Sequence, residues 1–176
     1  MRKRSLSQFR VRPKPGNPRR GCLIAAGRAI PVALGRGGIR ANKREGDGGT
    51  PRGAFRLVRL WWRADRHPRP ATHLPVRRIG PRDAWCEDPQ DRHYNRHVEL
   101  RDDSTADRLA RSDKLYDFII ELDHNTRPRI AGRGSAVFIH IAREGFAPTA
   151  GCVALTMPDL RRLLSQAGPQ TSIVIG

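Results

Sequence analysis

The sequence predicts a mostly β domain with one C-terminal helix and long loops. Three observations carry that reading. Short runs rich in β-branched and aromatic residues recur at 22–26, 29–34, 55–63, 117–123, 136–139 and 171–175, with the length and composition of strands. A single stretch, 156–168, shows the sustained apolar spacing of a strong helix. The spacers are rich in glycine, proline and arginine, which favour turns and loops over core. A chain of 176 residues can bury one substantial core, and no internal repeat is visible.

Residues 1–20 are basic and carry Pro13, Pro15 and Pro18. They read as a solvated tail ahead of a single domain over 21–176. The runs at 22–26 and 29–34 flank Gly27 as a β-hairpin, with Pro31 pointing to an edge position. Glycines then crowd 35–53. They can let backbone approach a ligand closely, although no Gly-Lys-Ser/Thr ends the segment as in a phosphate-binding loop; a plain surface loop is the alternative. Residues 55–63 form a strand with aromatic ends. Residues 64–103 show little periodicity and are expected to pack as ordered functional loops. Ser104 can cap a short helix over 104–111, with Asp107 three residues on. Residues 117–123 are a strand, followed by a turn at His124-Asn125. Thr156 caps the strong helix, and Asp159 suits its dipole. Leu160, Leu163, Leu164 and Ala167 make its apolar face, and Gly168-Pro169 stops it before a last strand at 171–175.

The formal net charge is +17, from 34 Lys+Arg against 17 Asp+Glu. Such a balance suits an acidic partner or reflects an arginine-rich composition, and it speaks to association rather than to fold. The cysteines, Cys22, Cys86 and Cys152, are odd in number, so at least one thiol is free; a Cys22–Cys86 disulfide stays open. There is no Cys-x-x-Cys pair. His93 and His97 have the i, i+4 spacing of helical metal ligands, but they lie in a loop-like context without an obvious third ligand, so no metal and no cofactor is expected. No run of 18 apolar residues marks a membrane span, and no apolar secretory h-region follows the basic N-terminus.

The chemistry-bearing stretch is 137–155. An apolar run ends in His140, a loop with Gly145 and Pro148 follows, and Cys152 precedes a second apolar run. A strand would present His140 from a fixed scaffold, and the loop could return Cys152 towards it. A thiol is a useful nucleophile only as thiolate, and an imidazole can take its proton. The bland alternative is a buried cysteine beside a structural histidine.

The order of the blocks narrows the choice. Gly35-Arg-Gly-Gly38, Lys43-Arg-Glu-Gly-Asp-Gly-Gly-Thr-Pro-Arg-Gly-Ala-Phe55, Trp85-Cys-Glu-Asp88, Tyr94-Asn95, Gly134-Ser-Ala-Val-Phe-Ile-His140 and Thr149-Ala-Gly-Cys152 together resemble the YkuD-type L,D-transpeptidases, and within them the compact single-domain branch. The resemblance implies a YkuD-like mixed β-sandwich or barrel, with the cysteine motif facing a groove. It implies Cys152 as nucleophile, His140 as base oriented by a backbone carbonyl such as that of Ile141, and Gly151 as the residue allowing the tight turn. Backbone N–H groups at Gly151 and Cys152 would hold the oxyanion. Lys43, Trp85, Tyr94, Asn95, Arg143 and Thr149 become candidate substrate-binding residues, with Trp85 and Tyr94 in a lid or in a loop packed on the sheet.

The implied substrates are peptidoglycan stem peptides, as donor and as acceptor, and the implied setting is the periplasm or cell envelope; without a visible signal peptide, the cytoplasm is the alternative. The chain departs from the broader family in its cysteine motif, where Thr149-Ala150-Gly151-Cys152 replaces the usual Ser-His-Gly-Cys, at Ala154, where an arginine is usual, and at His140-Ile141, where His-Gly is common. Two alternatives accompany this reading: an L,D-carboxypeptidase or related cysteine hydrolase on muropeptides, and a basic polymer- or nucleic-acid-binding module without catalysis. The first reading expects no nucleic-acid partner, and the sequence leaves the oligomeric state open.

Overall fold

The computed structural model describes residues 6–101 and 106–176. The chain runs through β1 (Gln8–Lys14), β2 (Asn17–Ala25), β3 (Arg28–Ala33), β4 (Ile39–Arg40), β5 (Thr50–Pro51), β6 (Gly53–Trp62), β7 (Val76–Arg78), β8 (Asp83–Cys86), β9 (Arg96–Glu99), β10 (Asp107–Arg108), β11 (Phe118–Leu122) and β12 (Phe138–Ile141). A single 3-10 turn at Glu144–Phe146 leads to β13 (Val153–Leu155), the helix α1 (Met157–Leu164) and β14 (Ser172–Ile175).

The main sheet runs β11-β12-β13-β3-β2-β1-β14-β6-β7, and β11 pairs back onto β6. That extra pairing closes the sheet into a barrel. The length of β6 makes closure possible: residues 53–56 pair with β14, while residues 57–62 pair with β11. A strand serving successive neighbours along its length is how a twisted sheet meets its own start. The weakest seam is between β13 and β3, where Ala154 opposite Ala33 is the pairing.

Alternation decides what fills the inside. Leu60, Phe118, Ile120, Ile139, Val153 and Leu155 point into the main core with Phe9, Val11 and Leu23. The intervening Trp61, Ile119 and Phe138 point outward into a second apolar cluster with Trp85, Leu109 and Cys152. Strands β11 and β12 and the end of β6 at residues 60–62 are therefore buried on both faces, which is why they read as short continuous apolar runs. The small sheet β10-β8-β9 supplies the outer cover. The rings of Trp85 and Phe138 meet edge to face at 5.1 Å, and those of Trp61 and Trp85 at 6.4 Å, spacings that favour the aromatic quadrupoles.

The helix and hairpin follow the expected chemistry. Thr156 accepts the Asp159 N–H at 3.3 Å and donates to its carboxylate at 2.7 Å, while Leu160, Leu163 and Leu164 join the barrel core. Ala25 pairs with Arg28, and the two turn residues Ala26 and Gly27 both have positive φ, the conformation that matches strand twist. Pro31 is tolerated because β13 reaches β3 at Ala33, beyond it.

Three expectations are corrected. Residues 8–20 are not a tail: β1 lies between β2 and β14, and its Phe9 and Val11 are fully buried. Their alternation with Gln8, Arg10 and Arg12 is a half-buried strand pattern that the charge and prolines hid. Residues 64–103 contain three strands rather than loop alone. The short helix proposed over 104–111 is replaced at Asp107–Arg108 by β10, and residues 104–105 lie outside the described residues. The three cysteines are free, so Cys22 and Cys86 form no disulfide.

Phe9→Ala is expected to destabilise the domain by about 3–5 kcal/mol, the usual cost of emptying a phenylalanine site in a packed core. Urea unfolding followed by circular dichroism measures this. An unchanged midpoint would restore the reading of residues 1–20 as a tail.

Candidate active site

The site is built on one parallel strand pair. Ile139 pairs with Val153, His140 with Ala154 and Ile141 with Leu155. Side chains alternate along a strand, so Phe138 and His140 share a face with Cys152, which precedes β13, and with Ala154. That face is the outer one, opposite the barrel core. His140 and Cys152 line one cavity of about 270 Å³, whose other walls include Glu87, Asp107, Arg111, Tyr116, Arg143 and Thr149.

His140 is 6% exposed. Its Nδ1 lies 2.9 Å from the Ile141 carbonyl. A carbonyl only accepts, so the proton sits on Nδ1 and the neutral ring keeps an acceptor lone pair on Nε2. Burial pushes the His140 pKa down to about 4. The edge of Tyr116 packs on the imidazole at 5.4 Å, and the Tyr116 hydroxyl donates to Asp107 at 3.0 Å.

Cys152 is 8% exposed. Its thiol donates to the Ala136 carbonyl at 3.2 Å, and its sulfur accepts the Phe138 N–H at 3.4 Å. Burial, reinforced by the nearby Glu87 and Asp107 carboxylates, pushes the thiol up to about 12. Both shifts favour neutral partners, so the resting pair is thiol plus imidazole. A proton would leave sulfur as a substrate arrives, with Nε2 as the acceptor.

The turn before Cys152 is held by Thr149. Its hydroxyl donates to the Cys152 carbonyl at 2.7 Å and accepts the Gly151 N–H at 3.1 Å. The Gly151 N–H is thus committed, which leaves the Cys152 N–H of the pair expected to face an oxyanion. Thr149 is itself laced to the glycine-rich segment, through its N–H to the Leu34 carbonyl and its carbonyl to the Arg36 N–H, both at 2.9 Å. Gly151 has φ +147°, and a Cβ there would come within 2.8 Å of the Gly49 carbonyl; a Cβ on Gly35 would lie 2.1 Å from the Gly48 carbonyl. The glycines therefore let the 35–53 segment press against the cysteine turn.

The other expected residues divide. Arg143 lines the cavity, is exposed, and forms no ion pair among the described residues. Lys43 is buried beside Gly134 and Gly151, with its ammonium donated to Asp47 and to the Arg44 carbonyl, so it is spent within the glycine-rich segment. Trp85, Tyr94 and Asn95 are buried behind the site: Trp85 Nε1–H donates to Asn95, and the Tyr94 hydroxyl donates to Glu45 while accepting the Gly134 N–H at 3.0 Å. None of Lys43, Trp85, Tyr94 and Asn95 lines the cavity. They support its walls, and neither Trp85 nor Tyr94 is a lid.

Glu87, Asp107, Arg111 and Tyr116 were not singled out from sequence as site residues. Glu87 stood inside the Trp85–Asp88 block, Asp107 and Arg111 were read only as parts of a short helix over 104–111, and Tyr116 lay in the spacer after it. His97 bonds Asp83 and packs on Trp61, while His93 bonds Asp91, so the two face different partners. Among the described residues no group of three His, Cys, Asp or Glu is placed to hold a metal. No helix among them is long and apolar enough to cross a membrane.

Fold and site together define a closed β-barrel domain with a buried thiol and imidazole in one groove. The family model for the L,D-transpeptidase catalytic domain, YkuD, matches residues 19–175, and the chain belongs to that family. No curated protein and no solved structure matched the chain.

The burial of His140 gives a pH signature. Its pKa, about 4 in the folded chain, lies below the ordinary 6.5. Between those values the unfolded chain binds a proton that the folded chain does not. Stability is therefore full above about pH 6.5 and is lost as pH falls towards about 4. Wild type should lose about 3 kcal/mol more than His140→Asn between pH 7 and pH 4, measured by urea unfolding. Equal losses in the two proteins would mean that the ring is solvated.

Proposed function

We propose that the protein is an L,D-transpeptidase that cross-links peptidoglycan stem peptides through a Cys152 thioester. Family membership supplies the reaction class and makes the cell envelope the expected setting. The observation that carries the residue assignment is the shared cavity: Cys152 and His140 stand on one face of a parallel strand pair, with the imidazole held in the tautomer whose Nε2 can accept a proton.

The steps follow from those groups. His140 Nε2 takes the thiol proton as sulfur attacks the donor carbonyl. The tetrahedral oxyanion is met by the Cys152 N–H. Collapse breaks the peptide bond, and the imidazolium returns its proton to the departing amine of the terminal D-residue. The acceptor amine then attacks the thioester, His140 takes a proton from it, and the cysteine sulfur leaves. Arg143 suits a substrate carboxylate, because a guanidinium that forms no ion pair among the described residues can bind one bidentately. Glu87, across the same cavity, suits the ammonium of a stem peptide.

A second reading has an observation of its own. Glu87, Arg143 and Ala150 at the cavity wall are exposed, so water can reach the thioester. Poor exclusion of water would turn the same intermediate into that of an L,D-carboxypeptidase. Incubation with purified tetrapeptide muropeptides separates the two by mass spectrometry: cross-linked dimers are expected, while shortened monomers alone would establish hydrolysis. Cys152→Ala should lower turnover by at least about a thousandfold, as expected when a covalent nucleophile is removed. Unchanged turnover in that variant would end the enzymatic reading.

A further inference from the structure

Asn95 ties together segments that are distant in the chain. It is 4% exposed, and its backbone lies in the left-handed region at φ +55°. Its Oδ1 accepts from Trp85 Nε1–H at 3.0 Å and from the Ala136 N–H at 3.2 Å. Its Nδ2 donates to the His124 carbonyl at 3.1 Å and to the Asn125 carbonyl at 3.0 Å. Two donors meet the oxygen and two carbonyls meet the nitrogen, so the amide has one orientation and no spare capacity.

Ala136 is the informative partner. It too is left-handed, at φ +50°, which is uncommon for a residue with a Cβ. It is buried, its N–H is held by Asn95, and its carbonyl accepts the Cys152 thiol. A backbone held away from its preferred region beside a reactive group needs its surroundings to fix it.

We propose that Asn95 is a positioning residue for the nucleophile: by holding the Ala136 N–H it keeps that residue left-handed and so aims the Ala136 carbonyl at the Cys152 thiol. The proposal deepens the reading of Cys152 as nucleophile and rests on it. A carbonyl oxygen bonds a thiol and repels a thiolate, whereas the Phe138 N–H does the reverse. The carbonyl therefore holds the sulfur and its proton at rest. Once His140 takes the proton, the same carbonyl drives the sulfur off, and the Phe138 N–H is the bond that remains. Asn95 thus sets the starting geometry of the attack without touching substrate.

The test follows alkylation of Cys152 by iodoacetamide against pH in the full chain, read on the Cys152 peptide by mass spectrometry, beside thermal melts and muropeptide turnover. In Asn95→Ala the thiol loses its aimed acceptor. The midpoint of the alkylation curve should fall by about one pH unit, a tenfold change in reactivity below it, while turnover drops. Trp85→Phe removes the other bond to the same oxygen and leaves the Ala136 bond; its melt should fall and its midpoint stay. Glycine adopts the left-handed region freely, so Ala136→Gly added to Asn95→Ala should return the midpoint to that of wild type. Ala136→Val, whose β-branched side chain disfavours the left-handed region, should lower the midpoint with Asn95 intact and serves if Asn95→Ala does not fold. A wild-type midpoint in folded Asn95→Ala or Ala136→Val overturns the proposal, as does failure of the glycine rescue. Alkylation reads the thiol directly. A Cys152→Ala variant that still turned over would therefore sink the nucleophile reading separately, leaving the thiol geometry to be judged on its own.

Discussion

The register of β12 against β13 is the constraint on which the site depends. Because the strands are parallel and Ile139 stands beside Val153, His140 and Cys152 project on one side and the core residues on the other. A slip of β13 by one residue would turn the thiol into the barrel core and Val153 into the groove. Register is protected because both faces are committed. Ile139, Val153 and Leu155 fill the barrel, while Phe138 packs under Trp85 in the outer cluster.

The crossover between these strands has to deliver a cysteine to a fixed place, and it does so by contacts with remote loops. Thr149 is clamped between Leu34 and Arg36, and Gly151 lies against Gly49. The far side is held by buried polar groups: Tyr94 and Ser135 on Glu45, Asn95 on Ala136, Lys43 on Asp47. Such groups are costly to bury unless satisfied, and here each has its partners. The same dry surroundings that make the network firm also keep Cys152 protonated and His140 neutral.

Much of this was legible in the sequence, for identifiable reasons. The strands at 22–26, 29–34, 55–63, 117–123 and 136–139 announced themselves because they are buried on at least one face. The helix showed its cap and its leucine face. Strand β1 was missed because four arginine, lysine or proline positions outweighed the alternation of Phe9 and Val11. Cys152 and His140 could be picked out by residue type, and the block order gave them a role. Their neighbours Asp107, Arg111 and Tyr116 could not: the first two passed for parts of a capped helix, and a groove wall assembled from connecting segments has no period of its own to read. Lys43, Trp85, Tyr94 and Asn95 were recognised as mattering, and the structure buries them outside the cavity lining: a single sequence does not separate a residue that touches substrate from one that holds the wall behind it.

Barrel closure also bears on how the molecule forms. Strand β1 pairs in parallel with β14, Gln8 beside Ser172, and β14 follows every other described strand in the chain. The β1–β2–β3 meander needs only local turns and can assemble early. Joining β1 to β14 brings together segments separated by nearly the whole described chain, which costs loop-closure entropy before any contact compensates. Closure of the ring is therefore expected to come late. Until it does, the free edges of β1 and β6 are open to pairing with other chains, so the interval before closure is when this protein is most exposed to aggregation.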